Sequence, residues 1–256
     1  MKFIEFENIS VLRKGNRILD SIDLSISSGE NTVILGPNGS GKSTIIKLLT
    51  REIYPYNMEP HVFRIFMEDN WNVKSLRWKM GIVSDSMSLF ANPDETCFEI
   101  VASVFYSAMN LYNTRVDDQI AQKTMRYLKF MDVAHLKDHL ISEVSSGEAR
   151  RVFIARALAH APRALMLDEP TNSLDISAIK KFRAKMSEIA KKGVTLIIAT
   201  HTLQDIIPEI KNVVLLKSGR IFKAGKKEDI FNEKILSALF DTNVKLFVKD
   251  GIYYMY

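Results

Sequence analysis

A glycine-rich loop between a short apolar run and a helical segment constrains this chain more than any other stretch of its sequence. Residues 36–44 fit the pattern G-x-x-x-x-G-K-[ST] of a phosphate-binding loop. Glycines let backbone N–H groups turn inward and approach a polyphosphate, and the helix that follows directs its positive dipole end at the same place. The candidate nucleotide-binding residues of this phosphate loop are Gly36, Pro37, Asn38, Gly39, Ser40, Gly41, Lys42, Ser43 and Thr44.

Lys42 and Ser43 carry the chemistry predicted for the phosphate loop. The Lys42 ammonium group is expected to reach the β- and γ-phosphates of a nucleotide, and the Ser43 hydroxyl is expected to hold Mg²⁺. A chance match in a glycine-rich turn is the alternative. It is disfavoured because the apolar run 32–35 before the loop is strand-like, and the run 45–49 after it is helix-like.

An apolar strand that ends in two carboxylates is the second feature with a chemical interpretation. Residues 164–167 are apolar and are followed by Asp168 and Glu169. Asp168 is expected to hold Mg²⁺ beside the phosphate loop, usually through water, because Mg²⁺ prefers oxygen ligands and keeps several waters. Glu169 is then expected to face the γ-phosphate and to polarise the attacking water. Solvated acids at a strand end are the alternative, which the upstream phosphate loop disfavours.

Hydrophobic periodicity predicts an α/β protein whose mostly parallel sheet is covered by helices on both faces. Strand-like and helical segments alternate over much of the chain. The less regular segments are predicted as one helix over residues 95–109, one helix over 228–240, and a hairpin of 244–248 with 252–256.

The start of another predicted helix completes a set of motifs. Residues 144–148 read Val-Ser-Ser-Gly-Glu, and residues 150–158 read Arg-Arg-Val-Phe-Ile-Ala-Arg-Ala-Leu. Taken alone, such a start is an ordinary helix N-terminus. Together with the phosphate loop, it resembles the signature motif of the ATP-binding-cassette (ABC) ATPases. Three more motifs resemble that family in the family's order, namely Asp168-Glu169-Pro170, the D-loop Ser173-Leu174-Asp175, and Thr200-His201.

The resemblance implies an ATPase that uses ATP and Mg²⁺ and works as an ATP-dependent head-to-tail homodimer. The phosphate loop of one subunit would face the signature of the other, so that Ser145, the N–H group of Gly147 and Glu148 lie at the partner's ATP. His201 would contact the γ-phosphate and the D-loop across the interface, although a lone strand-end histidine is more often a local hydrogen-bonding residue. The candidate catalytic residues are therefore Lys42, Glu169 and His201.

The resemblance covers residues 3 to about 225 and implies the fold of an ABC-type P-loop NTPase. This fold has a mostly parallel sheet core flanked by helices, an antiparallel β subdomain and a helical insert. We predict a single domain whose parts are a core at 1–92 and 144–225, a helical subdomain at about 93–143, and a C-terminal extension at about 226–256.

Three positions depart from the family pattern. Asp85 stands where the family usually has Gln, and is interpreted either as a group near Mg²⁺ and the attacking water or as a loop acid. Arg13 aligns with the aromatic residue that stacks on adenine. Its guanidinium either stacks on the base or is a solvated turn charge. In the signature, Ser146 replaces the usual Gly and Glu148 replaces the usual Gln.

Two functions remain open at this point. The first is the ATP-hydrolysing subunit of an ABC transporter with separate transmembrane permease subunits, because residues 193–225 resemble bacterial importer ATPases. The second is a stand-alone single-cassette ABC ATPase in repair, translation or regulation, which Asp85 and Arg13 keep open. A kinase or GTPase with the same loop is disfavoured, because no guanine-specifying Asn-Lys-x-Asp sequence occurs and the signature segment has no role in either class.

Composition predicts a protein that is soluble by itself and could still dock on a separate membrane protein. Its lone cysteine, Cys97, excludes an internal disulfide, which suits the cytosol. No apolar run approaches bilayer length, and the N-terminus lacks a signal-peptide core. A net charge of +5 is only a weak indication of acidic partners, and direct nucleic-acid binding is not expected. The expected location is the cytoplasmic face of the inner or plasma membrane.

Overall fold

The computed structural model describes residues 1–56, 60–84, 91–108, 110–111, 114–172 and 174–256. The strands of these stretches are β1 (Lys2–Arg13), β2 (Asn16–Ser27), β3 (Thr32–Leu35), β4 (Val62–Ile65), β5 (Met80–Val83), β6 (Ala164–Asp168), β7 (Thr195–Thr200), β8 (Asn212–Lys217), β9 (Arg220–Lys226), β10 (Leu246–Lys249) and β11 (Ile252–Met255). The helices are α1 (Lys42–Leu49), α2 (Val73–Lys79), α3 (Cys97–Ala102), α4 (Asp118–Phe130), α5 (Ser146–Ala159), α6 (Ile176–Lys191), α7 (Lys227–Ile230) and α8 (Glu233–Phe240). Short 3₁₀ turns cover Ser103–Tyr106, Ala134–Leu136 and Leu203–Asp205.

A six-stranded sheet in the order β5-β6-β7-β3-β8-β9 lies at the centre of the protein. The first five of these strands are parallel, and β9 pairs antiparallel with β8 at one edge. All four residues of β3 are buried. Val33 and Leu35 contribute to the hydrophobic core on one face of the sheet, and Ile34 contributes to the core on the other. Burial on both faces accounts for the continuous apolar runs of the sequence, and the predicted α/β fold is confirmed.

Different layers cover the two faces of this sheet. On one face, the antiparallel sheet β2-β1-β4 packs with α1 around a core that includes Phe3 and Phe66, whose rings lie 4.5 Å apart. On the other face, residues of α3 to α6 and α8 form the larger core. Among the described residues, no helix is both long and apolar enough to cross a membrane.

The structure corrects the sequence-based prediction at three helices. The helix predicted over 95–109 is shorter, because α3 ends at Ala102, a 3₁₀ turn follows, and Ser107 adopts a positive φ of 54°. The single helix predicted over 228–240 is two helices, because the side chain of Asn232 accepts a hydrogen bond from the N–H of Ile235 and starts α8. Helix α2 was not predicted at all.

The predicted C-terminal hairpin is present as β10 and β11. Its turn is Asp250-Gly251, and both residues have positive φ values, of 53° and 74°, as a tight two-residue hairpin turn requires. Tyr253 packs edge-on against Phe231, with ring centroids 5.0 Å apart. This contact joins the hairpin to the larger core. The hairpin also packs on the Leu203–Asp205 turn through β11.

Candidate nucleotide-binding site

The sheet topology brings three strand ends together at one edge. In the parallel ladder, β7 lies between β3 and β6, with Leu35 opposite Thr200 and Asp168 opposite Ala199. The carboxyl ends of these strands are therefore side by side, which is where α/β sheets bind ligands. The residues that directly follow β3, β6 and β7 are Gly36, Glu169 and His201.

The backbone of the phosphate loop tolerates only glycine at key positions. A Cβ atom on Gly36 would lie 2.1 Å from the carbonyl oxygen of Leu216, which is too close for any side chain. Gly41 has a φ of 108°, and a Cβ atom there would lie 2.6 Å from Leu19. The loop thus follows a tight path against β2 and β8 that only glycine allows at these two positions.

Helix α1 starts directly at the phosphate loop. Gly41 is its N-cap residue, and among the described residues no side chain caps the helix. The first N–H groups of a helix have no intrahelical acceptor, so an uncapped start beside a glycine loop suits the oxygens of a phosphate group. The buried hydroxyl of Ser40 also has no hydrogen-bond partner among the described residues. Both observations fit a nucleotide with its phosphates in the loop.

Lys42 lies against the loop and forms an ion pair with the acid that follows β6. Its side chain is only 5% exposed. Its Nζ atom donates to the carbonyl oxygens of Gly36 and Pro37 at 2.9 and 3.1 Å, and lies 3.2 Å from Oε1 of Glu169. An ammonium group that is buried in this way is weakly screened by solvent, so it attracts phosphate oxygens strongly.

The second carboxylate oxygen of Glu169 belongs to a cluster at the end of β7. Oε2 lies 2.7 Å from Nδ1 of His201, and both the His201 backbone N–H and the Thr200 hydroxyl lie 3.3 Å from it. Glu169 itself has a φ of 44°, a strained value for a side chain with a Cβ atom. Backbone strain of this kind is often found in active sites, and here it occurs at the residue that joins Lys42 to His201.

Ser43 and Asp168 have the chemistry of a magnesium site. Ser43 is exposed in the first turn of α1, and Asp168 is the last residue of β6 and is partly exposed. A hydroxyl and a carboxylate are the hard oxygen ligands that Mg²⁺ prefers, and access to solvent suits an ion that keeps several waters. These two residues therefore fit the ion that the sequence predicts. The third predicted ligand, Asp85, lies outside the described residues.

Comparison with known proteins identifies the family. Residues 19–172, more than half of the chain, match the family model described as ABC transporter. The chain belongs to the ABC transporter family of ATP-binding proteins. The resemblance that the motifs indicate is thereby confirmed.

Two relatives of this ABC protein match it over most of their length. It is 31% identical to the uncharacterized ABC transporter ATP-binding protein YlmA of Bacillus subtilis (strain 168), over 94% of this chain and 92% of YlmA. It is 32% identical to the energy-coupling factor transporter ATP-binding protein EcfA2 of Streptococcus agalactiae serotype Ia, over 90% of this chain and 83% of EcfA2. The solved structure of cbiO1 from Clostridium perfringens, part of the ABC transporter complex cbiONQ, superposes with a TM-score of 0.76 at 29% identity, over 93% of both chains.

The ABC signature segment forms the start of α5. Ser145 is the N-cap residue, and its hydroxyl donates to Oε2 of Glu148 at 2.7 Å while accepting from the Glu148 N–H. The hydrogen bonds from Ser145, from its hydroxyl first, lower the pKa of the Glu148 carboxyl. This carboxylate therefore stays charged at the place where the sequence predicts a phosphate group of the partner's ATP.

A cavity of about 150 Å³ lies between the N-terminal ends of α5 and α6. Its lining includes Ser145, Gly147 and Glu148 of the signature, and Leu174 and Asp175 of the D-loop. Among the described residues, none from the phosphate loop lines it. The signature and the phosphate loop are thus two separate surfaces of the ABC chain.

Arg13 is the last residue of β1, opposite Asn16, and its side chain is exposed. The same hairpin contacts the phosphate loop through Leu19, which packs against Gly41. The β1–β2 hairpin therefore borders the phosphate loop at Leu19. Stacking of Arg13 on adenine stays a prediction.

The sequence-based prediction missed a buried acid, Asp205, that adjoins this site. Asp205 is 1% exposed and bonds through its carboxylate to the hydroxyls of Thr171 and Thr200. The signal in the sequence is an acid within the apolar stretch 203–207, four residues after His201. A charged residue among buried apolar neighbours needs polar partners, so its position indicates a buried hydrogen-bonded group.

Proposed function

We propose that this chain hydrolyses ATP with Mg²⁺, as one half of a head-to-tail homodimer, and powers separate membrane subunits of an ABC transporter. The observation that carries the proposal is the position of Glu169, whose two oxygens lie 3.2 Å from Lys42 Nζ and 2.7 Å from His201 Nδ1. A phosphate-binding cation, a carboxylate and an imidazole thereby meet where the phosphate loop leaves the sheet. This combination suits phosphoryl transfer to water.

Each residue of the site has a distinct part in the proposed hydrolysis. The glycine loop and the N-terminus of α1 hold the phosphates, while Lys42 neutralises charge on the β- and γ-phosphates. Ser43 and Asp168 would hold Mg²⁺, which when bound would neutralise further charge on the phosphates. Glu169 orients a water molecule and accepts its proton as the water attacks the γ-phosphate. The bond between the γ-phosphorus and the β–γ bridging oxygen breaks, and ADP leaves. His201 contacts the same phosphate and fixes the Glu169 carboxylate through Nδ1.

The separation of the two surfaces within one chain supports the proposed dimer. Ser145 and Gly147 line a cavity with the D-loop, apart from Lys42 and Glu169. A helix N-terminus suits a phosphate group, so a second copy that brings its signature to the phosphate loop completes the site. ATP then binds the dimer better than the monomer and shifts the population toward the dimer.

The transport role rests on the relatives. EcfA2 is named as the ATP-binding protein of an energy-coupling factor transporter, and cbiO1 as part of an ABC transporter complex. By this reasoning the chain docks on a permease at the cytoplasmic face of the membrane. Purification of the protein from native membranes tests this role. A multi-span membrane protein is expected to co-purify. An active ATPase that purifies without a membrane protein would support the stand-alone alternative.

The ATP-binding part of the proposal is tested at Lys42. Lys42→Ala is expected to remove most binding of a fluorescent ATP analogue, because the phosphates lose their charged partner. The matched control is Lys47→Ala, which removes an exposed lysine from the same helix. Unchanged affinity in Lys42→Ala would contradict the assignment of the phosphate loop.

A further inference from the structure

Three buried polar side chains form a cluster behind the catalytic carboxylate. Asp205 is 1% exposed, Thr200 is 0% exposed and Thr171 is 7% exposed. One oxygen of Asp205 bonds to the Thr171 hydroxyl, and the other bonds to the Thr200 hydroxyl. Burying three polar groups is costly unless they satisfy one another, so the cluster is a built arrangement.

The cluster joins the two loops that carry the catalytic residues. Thr171 lies two residues after Glu169, on the loop that leaves β6. Thr200 ends β7 and directly precedes His201. By bonding to both threonines, Asp205 ties the loop of Glu169 to the loop of His201.

The backbone around Asp205 is itself held in place. Leu203 is 1% exposed and packs in the larger core. Arg183 of α6 donates to the carbonyl oxygen of Gln204, and the side chain of Thr202 accepts from the Gln204 N–H at 3.3 Å. Strand β11 of the C-terminal hairpin packs on the same turn. Asp205 is therefore a fixed point to which the two catalytic loops are attached.

The hydroxyl of Thr200 also reaches the catalytic carboxylate. Its Oγ1 atom lies 3.3 Å from Oε2 of Glu169 and accepts a hydrogen bond from the Thr202 N–H at 3.1 Å. A hydroxyl has one proton to donate, so Thr200 cannot donate to Asp205 and to Glu169 at once. When Asp205 is protonated, its O–H group can donate a hydrogen bond to the Thr200 hydroxyl. That hydroxyl can then donate to Glu169. The Asp205–Thr200 and Thr200–Glu169 contacts are then both hydrogen bonds.

The environment of Asp205 shifts its carboxyl group toward this protonated form. Burial raises the pKa of the Asp205 carboxyl, and the negative charge of Glu169 raises it further, whereas the hydrogen bonds from Thr171 and Thr200 and the nearby His201 lower it. The net direction is upward, as expected for a carboxyl group almost excluded from water.

We infer that Asp205 is a positioning residue for ATP hydrolysis, which as a neutral carboxyl group donates to Thr200 and thereby orients Glu169 and His201. The inference rests on the proposed function of this site. Asn has nearly the shape of a neutral Asp, with one oxygen that accepts from Thr171 and an NH₂ group that donates to Thr200. Ala removes both bonds.

Steady-state ATP hydrolysis by the full-length chain tests the inference. Asp205→Ala is expected to lower kcat by about tenfold to a hundredfold through misplacement of Glu169, with KM and ATP affinity unchanged. Asp205→Asn is expected to retain most of kcat. Thr200→Val should resemble Asp205→Ala, Thr200→Ser should resemble the parent, and the double variant Asp205→Ala/Thr200→Val should be no slower than either single variant. Thermal unfolding of each variant sets an assay temperature at which all are folded.

Hydrogen exchange provides a readout that needs no hydrolysis. In the protein without nucleotide, the amides of His201 and Thr202 should exchange faster in Asp205→Ala than in the parent or in Asp205→Asn, because the His201 N–H donates to Glu169 and the Thr202 N–H donates to Thr200. Parent-like kcat in Asp205→Ala, or equal loss in Asp205→Asn and Asp205→Ala, overturns the inference. Unchanged exchange rates of the His201 and Thr202 amides in Asp205→Ala also overturn the inference. A parent protein without ATPase activity instead overturns the proposed function, while the exchange data still decide whether Asp205 holds these loops.

Discussion

Glu169 lies between Lys42 and His201, 3.2 Å from the ammonium nitrogen of the first and 2.7 Å from Nδ1 of the second. The carboxylate thus pairs with the same cation that the phosphates of ATP are expected to bind. Lys42 and Glu169 are 5% and 17% exposed, so solvent screens their attraction weakly. A nucleotide that enters the loop is therefore expected to compete with Glu169 for Lys42 and to release the carboxylate toward water.

Replacing Glu169 by Gln separates catalysis from binding. The amide keeps the shape of the carboxylate but cannot accept a proton from water, so kcat is expected to fall by about 10²–10⁴. ATP affinity should be equal or higher, because the competitor for Lys42 loses its charge. Phosphate release and equilibrium binding measure the two effects. Glu209→Gln is the control, since it removes another acid paired with a lysine, Lys191 at 3.4 Å. A parent rate in Glu169→Gln would exclude Glu169 as the base.

Arg13→Ala tests stacking on adenine. The substitution is expected to weaken ATP binding by about 0.5–2 kcal/mol, the range for a cation over a ring, and to leave binding of inorganic triphosphate unchanged. Titration calorimetry with both ligands measures the difference. Lys14→Ala, which removes the neighbouring exposed charge, is the control. Equal weakening of both ligands would mean that Arg13 acts only through its charge.

Glu148→Gln removes a negative charge from the signature. The amide oxygen can still accept from Ser145, so the start of α5 is kept, but repulsion of the partner's γ-phosphate is lost. ATP-dependent pairing is expected at about fivefold lower ATP concentration, which corresponds to roughly 1 kcal/mol of like-charge repulsion. Glu99→Gln is the matched control, because Glu99 forms the same capping arrangement with Thr96 on α3. Equal behaviour of both variants would place Glu148 away from the phosphate.

Cys97 is expected to be inert in the folded protein. It is 0% exposed, and burial raises the pKa of its thiol to about 11. At pH 8 only about one thiol in a thousand is then a thiolate, the reactive form. An aromatic disulfide reagent should modify the native protein slowly and the protein in guanidinium chloride at once. Because Cys97 is the only cysteine, the absorbance change reports this site alone. Equal rates in both states would contradict its burial.

Two parts of the site were predictable from sequence. They are the glycine-rich phosphate loop and the acids that end and follow a buried strand. The phosphate loop has a fixed spacing because only glycine fits at Gly36 and Gly41. Asp168 and Glu169 follow a continuous apolar run, and parallel strands place their ends at one edge. The two-sided burial of β3 likewise follows from its composition.

The rest depends on contacts between distant residues, which no local pattern encodes. Asp205 bonds to Thr171, 34 residues away along the chain, and the pairing becomes visible only when β6 and β7 lie side by side. The break between α7 and α8 depends on Asn232 acting as a cap inside a segment with helical periodicity. Helix α2 was missed because it is a single short element between two strands.

The most direct test of the account is the ATP-dependent pairing of the Glu169→Gln variant. Light scattering coupled to size exclusion measures its mass with and without Mg·ATP. We predict a dimer with Mg·ATP, a monomer without nucleotide, and loss of the dimer when Ser145→Arg places a bulky cation at the phosphate contact. Ser142→Arg, an exposed change three residues earlier, is the control and should still pair. A Glu169→Gln protein that binds ATP, stays monomeric and hydrolyses at the parent rate would contradict both the catalytic role of Glu169 and the shared ATP site.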